Sequence, residues 1–561
     1  MKKVLLTMAA VLASALLLIS CGEKEKTPDE QFKAVVKSSV MESTNKFAGG
    51  FRDTFKQVNL SSFGSDGKFS IELDEKTSSL IRGIITEVIP GVDLGWLNSV
   101  QLTSSSTLKD DKAGVNLGIG VNSVNILTIE CIEDLANAKI YLSMPELLKK
   151  YFVIDSKDNY SLKETFKLYM AELKLLKTAP SEKVFTGFVE ELLTALLADV
   201  SGVERSVQTL SAGLSSGKDV SADYTVLKFA LTEEWCEKTG ANLKKAVLAS
   251  ENLKAILDWA LQFGEGLLYE DISSEEIAAE FADSLEELFD DLSYEDNVVV
   301  SVYADSKSHL KGSKLVVDRD SIESKFVQKG SSFGYSLAAV ERKNELFSLN
   351  GFGSYSGGKM TGDFTVYADE ENLFSFSTKN FDLEGMQNLK ANGSVSFTLT
   401  REMQRELKRE LRYTLDENAL ALIDNLTFIL NMQQKDRKSA KTELVIGNGD
   451  SPYLRLKGDF KVNGGSKLTV PQEAIDIETL DEDKIMETVR EIKMDTVAAN
   501  LKKAKVADEY VEAVSQLNGE AIANIVESYV NPYGSYSYDD YDDYDGYGSY
   551  DSSDNGWWEQ N

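Results

Sequence analysis

Lys68-Phe69-Ser70-Ile71-Glu72-Leu73-Asp74 places three large apolar side chains on alternate positions with polar ones between them. A period of two is the strand period, because successive side chains leave opposite faces of a sheet. One face of this segment is apolar and the other is wet. Similar runs recur at 99–107, 113–121, 124–132 and 138–143, with polar turns between them, and predict five antiparallel strands within 68–155.

A longer meander is expected over about 297–400, with strands near Val298–Ala304, Ser313–Asp318, Ser324–Gln328, Gly334–Arg342, Leu346–Tyr355, Lys359–Tyr367, Asn372–Thr378 and Leu389–Thr400. Its turns carry the Gly, Asp, Asn and Lys that hairpins need. A charged helix at about 400–424, with Met403, Leu407 and Leu411 on its apolar side, interrupts it, and strands resume at 426–433, 440–446 and 453–462.

Helical spacing fills the rest. Thr27-Pro28-Asp29-Glu30 is a capping-box start, and the helix it opens is expected to run to about Ala48, where Gly49-Gly50 stops it. Apolar stripes predict helices beginning near Ser161 (Phe166, Tyr169, Leu173, Leu176) and after Ser181 (Val184, Phe188, Leu192, Leu196). Val207–Ala212 reads as a helix end, and Tyr224–Leu231 as a strand. Helices follow at about 241–269 and 273–292; in the latter, Ile277, Phe281, Leu285, Leu288, Phe289 and Leu292 form a stripe expected to be core, not a cofactor site. Two more close the body at about 482–500 and 506–529.

Strands in runs joined by short links indicate an α+β fold with antiparallel sheet. The expected architecture is a large curved antiparallel sheet, or sheets, of meander topology, half-barrel-like and covered on one face by amphipathic helices. The expected organisation is a leader over 1–20, a cysteine and tether over 21–28, an N-terminal helix, meander and helices over 29–222, and helices, a second meander and C-terminal helices over 223–530. The two folded parts either form one continuous body or two lobes. The segment 531–561, with seven tyrosines between Tyr533 and Tyr550 among Gly, Ser and aspartates, cannot bury a core and is expected to be a disordered tail.

Chemistry is scarce. The formal net charge of −31 argues against nucleic acid and anionic headgroups as partners, since both would be repelled. Gly213-Leu214-Ser215-Ser216-Gly217 matches the G-x-S-x-G serine elbow, but that motif needs a strand before it, a helix after it and a histidine base. The chain has one histidine, His309, in a loop where it is expected to be solvated. Gly353–Met360 (GSYSGGKM) imitates a phosphate loop, yet Met360 replaces the metal-holding hydroxyl and the flanks alternate as strands, so it reads as a hairpin turn. Asp539, Asp540, Asp542, Asp543 and Asp545 are hard oxygen ligands, but an EF-hand register counted from Gly546 puts Tyr541 first and Ser552 twelfth. Cys131 and Cys236 offer one bridge at most and no metal spacing. No enzymatic role, cofactor or metal is expected.

The first twenty-two residues carry the most specific signal. Lys2 and Lys3, an apolar run from Val4 to Ile19, and Leu18-Ile19-Ser20-Cys21-Gly22 form a leader too short to be a permanent span. The ending resembles the lipobox of bacterial lipoproteins. That resemblance implies cleavage before Cys21, a diacylglyceryl group on its sulfur, and a chain held on the extracytoplasmic face of the cell membrane. Two acyl chains hold durably, at about 0.8 kcal/mol per buried methylene.

Ile140–Leu148 with Tyr151–Asp155, Val300–Asp305 and Val470–Ala474 resemble stretches of exported lipoproteins of Gram-positive gut anaerobes. More distantly, an N-terminal helix followed by a meander with helices on one face is similar to the Lol-type and LppX-like lipoprotein carriers, which implies a half-barrel holding acyl chains. The expected function is a lipid-anchored binding or carrier protein for an apolar or lipid-like ligand. The alternative is a surface structural or interaction protein contacting cell wall or a protein partner through its acidic, Tyr-rich tail.

Overall fold

The computed structural model describes residues 26–56, 62–74, 94–109, 111–155, 175, 178–264, 273–295, 297–369, 371–413, 417–448 and 451–530. Helix α1 (Pro28–Lys56) precedes β1 (Ser62–Leu73), β2 (Ser99–Lys109), β3 (Lys112–Val121), β4 (Val124–Asp134), β5 (Lys139–Met144) and β6 (Leu148–Asp155). Then come α2 (Glu182–Leu197), the hairpin β7 (Glu204–Leu214) and β8 (Lys218–Ala230), and helices α3 (Glu233–Ala249), α4 (Glu251–Gly264) and α5 (Ser274–Ser293). The long meander is β9 (Val299–Ala304), β10 (Leu310–Val317), β11 (Asp320–Lys329), β12 (Ser332–Glu341), β13 (Asn344–Ser356), β14 (Lys359–Ala368) and β15 (Glu371–Asp382). It continues as β16 (Gly393–Thr398), β17 (Leu426–Asp436), β18 (Ser439–Asn448) and β19 (Ser451–Asn463), with a short β20 (Ile475–Asp476) before the C-terminal helices.

All of these strands form one open sheet. From β7 to β19 each strand pairs antiparallel with the next in chain order. Strand β19 then pairs with β1, and β1 to β6 continue the ladder. The two meanders are therefore one sheet, and residue 222 lies inside β8. At the far edge β20 pairs with β6 in parallel, a pairing that short links do not allow and a long connection does.

The register keeps one face apolar across the sheet. Ile71 sits opposite both Val100 and Leu456, Leu102 opposite Ile119, and Phe397 opposite both Phe376 and Phe428. Rings stack along this face: Phe364 on Phe376 at 4.9 Å and Phe397 on Phe428 at 4.6 Å. The other face carries cross-strand ion pairs, Glu72–Lys457 at 2.5 Å, Glu443–Arg455 at 3.1 Å and Lys441–Asp459 at 2.8 Å. Exposed pairs of this kind contribute less than about 1 kcal/mol each, so burial, not charge, decides which face is covered.

Near β7 the sheet curls and buries part of its second face as well. Ala212, Val220, Tyr224 and Val327 form a buried cluster between β7–β8 and β11, with Phe352 packed against it. Tyr224 Oη accepts from the Gln328 amide at 2.9 Å. Gly334 permits the approach: a Cβ there would lie 1.8 Å from the Ala212 carbonyl oxygen.

Several local expectations need correction. Val207–Ala212 is strand, because its inward residues pack on β11–β13, and β8 starts six residues earlier than expected, at Lys218. Gly49-Gly50 does not end α1; Gly50 lets it pass the backbone of Asn388, 3.0 Å from where a Cβ would sit. Ser250 divides the 241–269 helix into α3 and α4. The 400–424 helix is Arg401–Leu411 and Glu417–Ala421, and a short helix at Leu383–Gln387 delays the next strand to Gly393. The 482–500 and 506–529 helices are each broken in two, at Glu482–Arg490 and Asp495–Lys503, and at Asp508–Gln516 and Gly519–Val530. The helix expected near Ser161 and the 531–561 tail lie outside the described residues, apart from Leu175, which is helical.

Gly334→Ala should drive β7 away from β12 and lower stability by about 3 kcal/mol, read as a shifted midpoint in urea unfolding. An unchanged midpoint would mean that the curl is not a tight contact.

Candidate functional site

Where β8–β11 present the apolar face, helices α1, α2, α3 and α5 lie over it and leave a cavity of about 510 Å³. Sequence signals position each wall. The capping box forms at α1: Glu30 N donates to Thr27 Oγ1 at 3.3 Å and Thr27 N to Glu30 Oε2 at 3.0 Å, which sets Phe32, Val36 and Val40 on one stripe facing the cavity. Thr232 caps α3 by accepting from Trp235 N at 3.2 Å, placing Trp235 in the wall. Ser273 and Glu276 form the capping box of α5, whose Phe281, Leu285, Leu288, Phe289 and Leu292 line the opposite side. The stripe expected to be plain core is thus largely a cavity wall.

The helix layer is tied by polar contacts on its outer side. Glu191 of α2 accepts from Ser250 Oγ at 2.5 Å and from Asn252 Nδ2 at 2.6 Å. Lys244 of α3 bridges Asp283 and Glu286 of α5, both at 2.7 Å, and those carboxylates hold its ammonium above the usual lysine range. At its far end α1 is gripped by Arg437, which donates to the carbonyls of Gly50 and Asn388.

The floor is Phe229, Val300, Val302, Leu315 and Ile322. Lys314 also borders the cavity, but its side chain leaves by the other face. It is registered with Ser301 and Glu323, out of phase with Val302 and Leu315, and its Nζ is 3.8 Å from Glu323 Oε2. Tyr303 Oη donates to that carboxylate at 2.5 Å, and burial first, then Glu323, pushes the phenol well above its usual range. Among the described residues that line the cavity, no charged side chain points into it. A volume of this size lies within the range of about 300–1,000 Å³ found for small-molecule sites.

Ser313, in register with the floor residue Val302, brings a hydroxyl to the cavity side, and Trp235 lines the wall. Its ring sits edge-on to Phe229 at 5.1 Å and to Phe289 at 5.8 Å, and its Nε1 is buried with no hydrogen-bond partner among the described residues. A buried donor left unmet costs about 1–3 kcal/mol.

The motif candidates fall elsewhere. Gly213–Gly217 is the β7–β8 hairpin turn, so the strand before the serine is present but the helix after it is not. Ser215 Oγ lies 2.6 Å from Tyr367 Oη. His309 is in its expected loop but is not solvated: its side chain is 14% exposed, with Nδ1 2.9 Å from Asp305 Oδ2, because Asp305 Oδ1 also accepts from the amides of Lys307 and His309 and folds the loop inward. Gly357 and Gly358 make the β13–β14 turn at positive φ, as the hairpin reading expects. Among the described residues no group of three His, Cys, Asp or Glu side chains is placed to hold a metal, and no helix is long and apolar enough to cross a membrane. Cys21 and the tail aspartates lie outside the described residues.

Cys131 and Cys236 are both free thiols. Burial pushes Cys236 up to about 11 from an ordinary value of 9, and raises Cys131 through burial and then Glu133. The neutral Cys236 thiol therefore favours the folded state below pH 9, and this contribution falls away as pH rises from 9 to 11. At pH 8 a thiol reagent should leave Cys236 unmodified in the native chain and modify it once urea is added; rapid labelling of the native protein would contradict its burial. Comparison with protein-family models, with curated proteins and with solved structures finds no match to this chain.

Proposed function

We propose that the chain is a lipid-anchored, extracytoplasmic carrier that holds an apolar, lipid-like ligand between its helices and the apolar face of its sheet. The observation that carries this reading is the cavity itself: about 510 Å³ and walled mainly by aliphatic and aromatic side chains, with Lys314, the charged residue among the described lining, registered on the opposite face. The protein acts by burial, and each methylene taken from water contributes about 0.8 kcal/mol. The same face continues beyond the helices, where Phe69, Leu102 and Ile119 remain 45–49% exposed. Diacylglyceryl attachment at Cys21 keeps the carrier at the outer membrane surface, where such ligands reside.

The exposed part of that face also favours a second reading, a surface interaction protein whose partner covers it.

Lipid extraction and native mass spectrometry of the full chain should release a co-purifying apolar molecule, and a fluorescent fatty-acyl probe should be taken up. Leu288→Asp, which puts a carboxylate in the wall, should weaken uptake at least tenfold while melting cooperatively. A ligand-free chain that takes up no probe, yet captures a protein partner through the exposed face, would favour the second reading. Cys21→Ser should move the protein from the membrane to the soluble fraction; unchanged membrane retention would remove lipidation from the account.

A further inference from the structure

Beyond the helix layer the apolar face of the sheet stays open. Phe69, Leu102, Leu117, Ile119 and Phe460 belong to a group of apolar side chains on β1–β4, β17 and β19 that are 37–49% exposed. The register makes them one patch: Leu102 lies opposite both Phe69 and Ile119, Ser104 opposite Leu117, and Gly67 between Ser104 and Phe460. At about 200 Å² for a fully exposed large apolar side chain, the group presents roughly 800 Å². That exceeds the roughly 300–600 Å² of the largest patch on a typical monomer and matches the roughly 800 Å² that each partner brings to a stable interface.

We infer that this patch is the interface of a homodimer, packed sheet to sheet on the same patch of a second copy. From Ser65 to Ile71, the residues that share this face on β1, β2, β3 and β19 are all uncharged, whereas Asp66, Lys68, Lys457 and Asp459 leave by the other face. A patch without charge is complementary to itself, as a two-fold contact requires. Its relief is self-matching too. Phe69 is paired with Gly458 and Phe460 with Gly67, so each ring stands beside low ground over which only the Thr442 and Ser104 hydroxyls lean. A second copy brings rings to those low points. An anionic membrane surface is disfavoured as the occupant by the net charge of −31. The same charge opposes two copies at long range, so the apolar contact carries the association and added salt strengthens it by screening the repulsion. The contact names what covers the exposed face and leaves the cavity over β8–β11 free, so it stands apart from the carrier reading.

The test is analytical ultracentrifugation of the full chain carrying Cys21→Ser, which removes the acyl anchor. It should sediment as a dimer that dissociates on dilution and tightens as salt is raised. Leu102→Lys and Ile119→Lys change positions already 47% and 49% exposed and make the chain less negative, so weaker association in them comes from the contact and not from added repulsion. Each should weaken the dimer at least about 10-fold, because a lysine buried in the contact meets no counter-charge. Lys68→Ala, on the opposite face, should leave it unchanged. A second measurement leaves the patch intact: Cys131 is a free thiol in register with Val115, and its alkylation should slow as protein concentration rises. A monomer at every concentration, a dimer indifferent to Leu102→Lys, association that weakens with salt, or Cys131 labelling independent of concentration would each overturn the inference. A monomer whose uptake of a fluorescent acyl probe falls with Leu102→Lys would give the face to lipid, overturning the dimer and leaving the carrier reading standing.

Discussion

Ten registered pairs between β1 and β19, from Gly64 opposite Asn463 to Leu73 opposite Leu454, hold this molecule in one piece. Without that ladder, β1–β6 and β7–β19 would be two sheets with four edges. With it, the apolar face of β1 (Phe69, Ile71, Leu73) is in phase with that of β19 (Leu454, Leu456), and a single face runs through both meanders. A slip of one residue would turn that face over on one side of the seam and break its continuity. Closing a loop of nearly four hundred residues is entropically costly, and the seam offsets it with a full ladder and matched apolar pairs.

From that constraint follows a division of labour between faces. The face with Lys457, Glu443, Arg455 and Glu72 carries ion pairs across β1, β18 and β19, partly exposed and each contributing less than about 1 kcal/mol. The opposite face needs cover. Helices α1–α3 and α5 provide it over β8–β11, but their side chains do not interdigitate fully with the sheet, and the unfilled space is the cavity. A site made by incomplete packing between layers needs no catalytic group. It needs shape and an apolar lining.

Much of this was legible along the chain. Alternation at Phe69-Ile71-Leu73 and in the long meander identified the strands, Thr27 to Glu30 the start of α1, and the apolar stripe from Ile277 to Leu292 the helix α5. What stayed hidden depends on distant partners. Val207 and Leu210 are spaced as in a helix, and only packing against β11–β13 makes their segment a strand. Gly49-Gly50 carries the composition of a stop, whereas its role is close passage beside Asn388. No local pattern encodes the β1–β19 pairing. The stripe on α5 looks the same whether it meets a full core or a partly empty one, so the cavity could not be read from it.

The most direct measurement of the central claim is paramagnetic broadening by a spin-labelled fatty ester, recorded on methyl-labelled protein. The account predicts that methyl resonances of Leu285, Leu288 and Val300, which face the cavity, disappear at low probe concentration, while those of Val220 and Val327, buried on the other face inside the curl, keep their intensity. Broadening spread evenly over both faces, or confined to the polar one, would contradict it.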